Sequence, residues 1–477
     1  MQPVDYLRRL LLVAILVVAQ TASGQTPPPA WAFTKYFQYN IENILVNTTA
    51  PGVWNVKVIF SVTNPNPDAI VPNDTWNIKT DAPFQSAGGS VTIDIGWDSA
   101  EFTNTGSVPV GTPSLVPRLT ALDPVVTTSL GTGAAYPIQI RNLVSPTVGA
   151  NACASLSDCP GVVSLSNRFW IARSVSPLQF MQAVTTGRIG MEGHPVCSGL
   201  PGCPTTIAPF ANIPARSATQ DFSFVASATP TSAMIANPRR PIVDFQTKCR
   251  NCHNGSTLDG DGKPIPRLSL HGNNRNENLD LCVMCHGPNQ TDMPYRAVTS
   301  DPRTSGPETS VDLKNMIHAV HAGDFRKTAL VIIGRNTSIN DYSAVNFPSK
   351  LRNCLNCHID VNGKGTFELP LQSSVLVTTV NTGSVYAVPS GSNRTIDVNP
   401  FNDLKITPIA AACSGCHDET EARSHMVRTG RASFSTLQQN IGSTVIERCA
   451  SCHGPGRKED VRKSHEIRSL SSSDDDH

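Results

Sequence analysis

Five short segments of identical spacing constrain this chain more than any other feature of its sequence. Each has the form C-x-x-C-H, and together they use every cysteine after Cys203. They begin at Cys249, Cys282, Cys354, Cys413 and Cys449. Two cysteines at this spacing can bond to the two vinyl groups of one porphyrin, and the adjacent histidine then lies under its iron. One such segment can arise by chance or form half of a zinc site, but five predict a multihaem cytochrome c with five covalently bound haem c groups.

The five motifs define the predicted attachment residues, which are two cysteines and one proximal histidine for each haem. They are Cys249, Cys252 and His253; Cys282, Cys285 and His286; Cys354, Cys357 and His358; Cys413, Cys416 and His417; and Cys449, Cys452 and His453. The intervals between successive motifs range from 33 to 72 residues, so the motifs do not form a tandem array.

The remaining histidines decide whether any iron keeps an open position for a substrate. An iron with two axial ligands passes electrons, whereas an iron without its distal ligand can bind a substrate. His477 ends an acidic tail and His194 lies in the first half, where a hydrogen-bonded loop histidine is the simpler interpretation. The predicted distal ligands are His271, His318, His321, His425 and His465. Five distal histidines for five haems predict bis-histidine ligation throughout.

Two details qualify this ligand count. His318 and His321 lie in a segment that predicts a short helix, with Thr309 or Ser310 as its N-cap and Gly323 as its end. Histidines three apart share a helix face, so they reach two neighbouring haems rather than one iron from opposite sides. Methionine is the alternative ligand type, and the candidates are Met293, Met316 and Met426, with Met426 beside His425 the strongest.

The first half of the chain has the pattern of β-strands. Apolar residues alternate with polar ones from Val53 to Val62, from Val91 to Trp97 and from Phe222 to Ala226. Ile59 interrupts the polar face of the first of these, so this strand is expected to be covered on both sides. All five tryptophans lie in this half. We predict an α+β multidomain chain, in which a β-sandwich or split barrel precedes a loop-rich haem domain with short helices after the motifs.

Four cysteines lie in the β half, as Cys153 with Cys159 and Cys197 with Cys203. Four cysteines allow three pairings, and two local disulfides are the simplest. The simplest interpretation is that these disulfides are structural and stiffen long loops. The alternative is a disulfide that switches with redox state.

The predicted domain boundaries follow from composition. Residues 1–24 have a basic flank, a short apolar run and small residues, as in a secretory signal peptide; an uncleaved membrane anchor is the alternative. Residues 25–241 form the β domain, residues 242–466 the pentahaem domain, and residues 467–477 a disordered acidic tail. Export agrees with haem c attachment and with disulfides. The formal charge is +1 before haem is counted. Each ferric bis-histidine haem adds about −1, so the holoprotein is expected to be negative and to favour cationic partners, and nucleic-acid binding finds no support.

Several segments resemble the outer-surface multihaem cytochromes of the OmcA/MtrC family. They are Lys248 to His253, His271-Gly272, Cys282 to Pro288, Met316 to Gly323, Val345 to Pro348, His425-Met426, Cys449 to Gly456, and upstream Gly187-Arg and Met191-Glu-Gly-His-Pro195. The resemblance implies a split-barrel β domain, a haem domain with bis-histidine ligation, and electron export to metal oxides, humic substances, flavins or electrodes. Family members carry ten haems in two halves, whereas this chain has one half, and its two C-x5-C pairs differ in spacing from the family's disulfide.

The leading functional hypothesis is an exported electron carrier without a dedicated substrate site, with metal reductase activity as a possible addition. Its expected partners are other multihaem cytochromes, a porin-cytochrome conduit, metal oxides or flavin-type shuttles, and its expected location is the cell surface or, alternatively, the periplasm. A filament-forming subunit is the second hypothesis, because half a family member suggests self-association. A pentahaem nitrite reductase is the third, but the chain has no C-x-x-C-K segment.

Overall fold

A computed structural model describes most of the chain. The described residues are 30–50, 53–97, 138–146, 150–162, 168–173, 178–179, 186–204, 211–225, 231–288, 290–292, 295–296, 301–305, 307–361, 363–371, 378–381, 404–437 and 446–467. The predicted signal peptide and residues 468–477 of the predicted tail lie outside them.

The described part of residues 30–235, here called the β region, contains ten strands and two short helical segments. The strands are β1 Gln38–Ala50, β2 Val53–Thr63, β3 Ser90–Trp97, β4 Ile138–Ile140, β5 Ala150–Ala152, β6 Phe169–Arg173, β7 Leu178–Gln179, β8 Thr186–His194, β9 Ala218–Val225 and β10 Thr231–Ile235. A 3-10 helix at Ala30–Tyr36 precedes them, and helix α1 spans Ala82–Gln85. The strands that alternation predicts are therefore β2, β3 and β9.

These strands form two antiparallel five-stranded sheets. The first has the order β1-β2-β6-β5, with β7 paired to the start of β2, and the second has the order β10-β9-β8-β3-β4. Ser232 of β10 links the sheets, because its Oγ donates to the Ile44 carbonyl at 3.0 Å and accepts from the Val46 N–H at 3.2 Å. The inward side chains of β2 and β3, such as Phe60 and Ile93, are fully buried in one core. The predicted β-sandwich or split barrel at the start of an α+β chain is confirmed.

The outer face of β2 is also covered. Ile59 is fully buried against Phe169 and Cys159, and Cys159 is disulfide-bonded to Cys153. The second disulfide joins Cys197 to Cys203. Both predicted local pairings are confirmed, and the first disulfide holds a loop over the strand face that Ile59 makes apolar.

Residues 240–467, here called the motif region, are built from short helices and two-stranded or three-stranded ribbons. The helices are α2 Arg250–Cys252, α3 Leu279–Cys285, α4 Pro302–Ser305, α5 Leu313–Ala322, α6 Pro408–Cys413, α7 Thr420–Arg428, α8 Ala450–His453 and α9 Val461–Ser464. A π-helical turn at Phe245–Cys249 and 3-10 turns at Gly323–Phe325, Arg335–Thr337 and Cys354–Asn356 accompany them. The strands are β11 Ser269–Leu270, β12 Arg275–Asn276, β13 Val331–Gly334, β14 Ser338–Asp341, β15 Asp360–Val361, β16 Lys364–Gly365, β17 Thr378–Asn381, β18 Leu404–Ile406 and β19 Thr436–Leu437.

Two local predictions need correction. The N-cap of α5 is Asp312, whose side chain accepts from the Lys314 N–H, rather than Thr309 or Ser310; Gly323 does end the helix. Short helices also contain the motifs instead of only following them, because four motifs lie in or at the end of a helix and the third in a 3-10 turn. Every helix in the described ranges is too short or too polar to cross a bilayer.

Candidate haem-binding sites

All five C-x-x-C-H motifs fold into the same backbone turn. In each, the N–H of the histidine donates to the carbonyl of the first cysteine, at 2.8 to 2.9 Å. One helical turn brings residues i, i+3 and i+4 to one side of the backbone. The turn therefore presents both thiols and the imidazole of each motif together. The ten thiols are half-buried or exposed, so they are open to a porphyrin edge.

Each motif histidine faces one of the five predicted distal histidines. We number the sites by motif order, from site 1 at Cys249 to site 5 at Cys449. The ring centroids are 6.1 Å apart for His253 and His321, 6.1 Å for His286 and His271, 6.0 Å for His358 and His318, 6.0 Å for His417 and His465, and 6.1 Å for His453 and His425. The sequence could count these histidines but could not pair them.

This spacing fits one iron between each two rings. Imidazole nitrogens bind metals at about 2 Å and the ring centroid lies about 1 Å further out, so two rings across one metal have centroids about 6 Å apart. All five pairs have that separation, and none of the ten rings is fully buried by the polypeptide. The arrangement leaves space for a planar group between the rings of each pair.

Hydrogen bonds orient many of the rings. The Nδ1 atom lies 2.9 Å from the Val311 carbonyl in His286, 2.9 Å from the Ile317 carbonyl in His321 and 3.0 Å from the Val461 carbonyl in His465. His253, His318 and His453 have equivalent contacts with carbonyls, at 2.6 to 3.1 Å. A carbonyl oxygen can only accept, so Nδ1 carries the proton and Nε2 is left with its lone pair for a metal.

The surroundings favour neutral imidazole, the form that binds metals. Burial lowers the pKa of His286 and His318, and burial together with the nearby His318 lowers the pKa of His358 to about 3. Phe347 packs edge-on to His321 and Phe367 edge-on to His358, with centroids 5.8 Å apart in both cases.

Large apolar side chains are exposed beside the paired histidines and motifs. They are Leu270, Ile317, Val361, Val427 and Ile446, each within three residues of a paired histidine or a motif cysteine, with exposed fractions of 36 to 69%. Exposed apolar side chains clustered at a site mark a binding surface. A porphyrin, which is itself largely apolar, is a fitting cover for them.

The five sites also lie next to one another in a definite order. Burial raises the pKa of Cys249, and the nearby thiols of Cys357 and Cys282 add to the rise, so site 1 lies between sites 3 and 2. Cys416 of site 4 has its Sγ 3.9 Å from the carbonyl of His318, the distal histidine of site 3. The pKa of Cys413 is raised by burial and then by the thiol of Cys449, which joins site 4 to site 5. The spatial order is 2-1-3-4-5.

Comparison with known proteins agrees with this arrangement. Residues 240–466 match the family described as outer membrane cytochrome MtrC/MtrF-like, domains II/IV. This segment is similar to that family, and the match covers just under half of the chain. The predicted resemblance is confirmed, and the family implies covalently bound haem of the c type and a role in electron transfer.

Among solved structures, the chain is similar to MtrC from Shewanella baltica OS185, with 14% sequence identity and a TM-score of 0.43. The similarity covers 88% of this chain and 52% of that one, so this chain spans about half of the relative's length. A search of curated proteins finds no match.

Strand β8 holds the MtrC/MtrF-like domain against the β region. Arg188 is fully buried, binds both carboxylate oxygens of Asp221, and donates to the carbonyl and Oδ1 of Asp280 at 3.0 and 3.2 Å. Gly190, two residues further along the strand, faces α3. Glu192, two residues beyond Gly190, accepts a hydrogen bond from the Arg275 guanidinium at 3.0 Å. Residues i, i+2 and i+4 of a strand share one face. The sequence signal that could have revealed this contact is Gly187-Arg to Pro195, which has charged residues within a strand.

The other candidate ligands lie apart from the five pairs. His194 ends β8, where it is buried and burial lowers its pKa to about 4. Met426 packs against the buried cluster of Ile406 and Ala410, and Met293 lies outside the described residues. The rings that face one another across the sites in the described chain are all histidines.

Proposed function

We propose that this protein is an exported pentahaem cytochrome that carries electrons through five closely packed bis-histidine haems without a substrate site of its own. The observation that supports this most strongly is the set of five histidine pairs with ring centroids 6.0 to 6.1 Å apart. Each pair combines a motif histidine with a distal one, so no iron is left open to a substrate. The haems supply the redox chemistry, and the chain supplies their spacing and axial ligands.

The proposed ligand set is the one that the sequence predicts. The iron ligands are His253 with His321, His286 with His271, His358 with His318, His417 with His465, and His453 with His425. The paired motif cysteines form the thioethers. The proposed domains are residues 25–241 and 242–466.

The spatial order of the sites makes the haems a continuous path. Electrons would enter or leave at sites 2 and 5, which are the ends of the order 2-1-3-4-5. Site 2 is covered in part by the β region, through β8 and α3. The proposed partners are other cytochromes or a porin-cytochrome conduit, with metal oxides or flavin-type shuttles as final acceptors at the cell surface.

The test is a haem count combined with the spin state of iron. The purified holoprotein is expected to bind five haems per chain by the pyridine haemochrome assay, and all are expected to be low-spin by electron paramagnetic resonance. Fewer than five haems, or a high-spin signal in the wild-type protein, would contradict the proposal.

A single substitution identifies a distal ligand. His271→Ala is expected to convert about one haem in five to high-spin, because it opens the sixth position of one iron. His194→Gln is the matched control, since His194 is buried but belongs to none of the five pairs. A control variant with the same high-spin signal would show that the signal reports misfolding rather than ligand loss.

A further inference from the structure

A buried group of charges lies where the β region meets site 2, and Asp94 is at its centre. Asp94 belongs to β3 and is fully buried. Its Oδ1 accepts from Gln139 Nε2 at 2.7 Å. Its Oδ2 has no hydrogen-bond partner among the described residues. A buried carboxylate with one oxygen unsatisfied is costly when ionised, because the charge has lost its water.

The groups that face Asp94 leave it without a cation of its own. Glu192 of β8 pairs with Arg275 of β12, at 3.0 Å. Arg141, beside β4, donates to Gln139 rather than to Asp94, also at 3.0 Å. The titratable or charged groups around it are Glu192, Arg275 and Arg141, with Cys285 on the side of site 2 and Tyr39 and Tyr295 at the margin.

This environment favours the protonated acid. Burial, and after it the negative charge of Glu192, raises the pKa of Asp94 to about 8. Cys285 is close enough for the Asp94 charge to raise the pKa of its thiol. Asp94 Cβ and Met284 Sδ each lie 3.3 Å from the position that a Cβ would take at Gly190. Met284 is followed by Cys285, a predicted porphyrin attachment residue of site 2, so Asp94 lies beside that site. It is outside the ligand pair of His271 and His286.

We propose that Asp94 binds a proton when the haem at site 2 is reduced, so that electron passage through this site is coupled to a proton. The inference rests on the proposed function, since it requires haem at site 2. The electron that reduces a haem held at site 2 would come from the neighbouring haem of site 1 or from an external one-electron donor. One proton from solvent bonds to the Asp94 carboxylate, and oxidation releases both.

The direction of the coupling follows from charge. Reduction adds one negative charge near Asp94 and raises the proton affinity of its carboxylate. Well below pH 8, Asp94 is protonated in both oxidation states, and reduction does not change its protonation. As the pH rises above about 8, the oxidised form loses the proton and the reduced form keeps it, so the potential of site 2 falls.

The test is infrared difference spectroscopy of the holoprotein between its oxidised and reduced states, recorded above pH 8. The wild-type protein is expected to gain a carboxylic-acid C=O band on reduction, and Asp94→Asn is expected to lose that band. Proton uptake per protein, measured with an indicator dye, falls by up to one in the variant. Asp301→Asn is the matched control, because Asp301 is a surface carboxylate paired with Arg303. An unchanged band in Asp94→Asn overturns the inference.

A second variant covers the case in which Asp94→Asn does not fold. Glu192→Gln removes the charge that raises the proton affinity of Asp94, so proton uptake is expected at lower pH. Uptake at an unmoved pH overturns the inference. The haem count and spin state keep the two proposals separate. Five low-spin haems with no effect at Asp94 refute the proton coupling alone, whereas a missing or high-spin haem refutes the proposed function.

Discussion

Arg188 is a fully buried charge at the contact between the two regions. Its side chain is 0% exposed, and its guanidinium satisfies Asp221 and Asp280 together. Removing one partner of a buried ion pair is far more destabilising than the pair is stabilising, because it leaves a buried charge alone. Asp221 would be that charge, since it is only 4% exposed.

Arg188→Ala is therefore expected to lower the free energy of unfolding by about 3 to 5 kcal/mol. Urea denaturation followed by circular dichroism measures the change. Arg303→Ala removes an exposed pair with Asp301 and is expected to cost about 0 to 1 kcal/mol. Equal losses of unfolding free energy in the two variants would contradict the expectation that the buried Arg188 ion pair matters more for stability than the exposed Arg303 pair.

Residue chemistry also explains how far the sites could be predicted. Every histidine of the five pairs could be found from the sequence, because haem c needs a motif histidine and a saturated iron needs one more. Asp94 could not, since its importance comes from burial against site 2, and the only sequence signal for Arg188 and Glu192 is that they are charged residues within a strand. From the sequence alone, a carboxylate in a strand is predicted to face solvent, because the element that covers it is not yet known.

At the scale of elements, β8 and α3 approach each other closely at Gly190. A Cβ at this position would overlap Leu281 and come within 3.3 Å of Met284 Sδ. Leu281 and Met284 are buried in the same small cluster. The missing side chain at Gly190 is therefore what lets the helix of site 2 lie on the sheet.

Gly190→Ala is expected to cost about 1 to 3 kcal/mol of unfolding free energy, because the added methyl group overpacks this contact. Leu281→Ala removes the atom that it would meet. The double variant is expected to lose less than the sum of the two single losses, by about 0.5 to 3 kcal/mol. If the losses of unfolding free energy in the two single variants simply add in the double variant, the strain caused by Gly190→Ala does not come from contact with Leu281. The same urea titrations measure this.

Elements whose pattern is local were predictable, and those set by the cofactor or by long-range contacts were not. Alternation located β2 and β3 because each buries one face in a shared core. Helix α5 was predicted from its candidate caps and its ending glycine, yet the N-cap was misplaced, because Asp312 competes with the nearby hydroxyl residues Thr309 and Ser310. The turn within each motif has no periodic signal, since it is too short to show one.

At the scale of the whole molecule, the two regions differ in what fills their interior. The main core of the β region has 32 buried apolar residues. In the described part of the motif region, the two hydrophobic clusters have three and four buried members. A region with so little buried apolar surface lacks the main driving force for folding unless another group supplies it.

The chain produced without haem is therefore expected to keep a folded β region and an unfolded motif region. Limited proteolysis should cut within residues 240–466 while leaving a fragment that contains all five tryptophans. Tryptophan emission reports the β region alone, since no tryptophan lies elsewhere. A protease-resistant motif region in the haem-free protein would contradict this expectation, and the holoprotein treated in parallel is the control.

Helix α5 fixes the distance over which an electron would pass between sites 1 and 3. It carries the distal histidines of sites 1 and 3, and one α-helix places residues three apart about 4.5 Å from each other along its axis. With iron bound at both sites, the distance between the two metal centres would be set by the axial rise of a helix instead of by a loop. Because one rigid helix fixes this distance, we expect the electron-tunnelling distance between sites 1 and 3 to stay constant while the surrounding loops fluctuate.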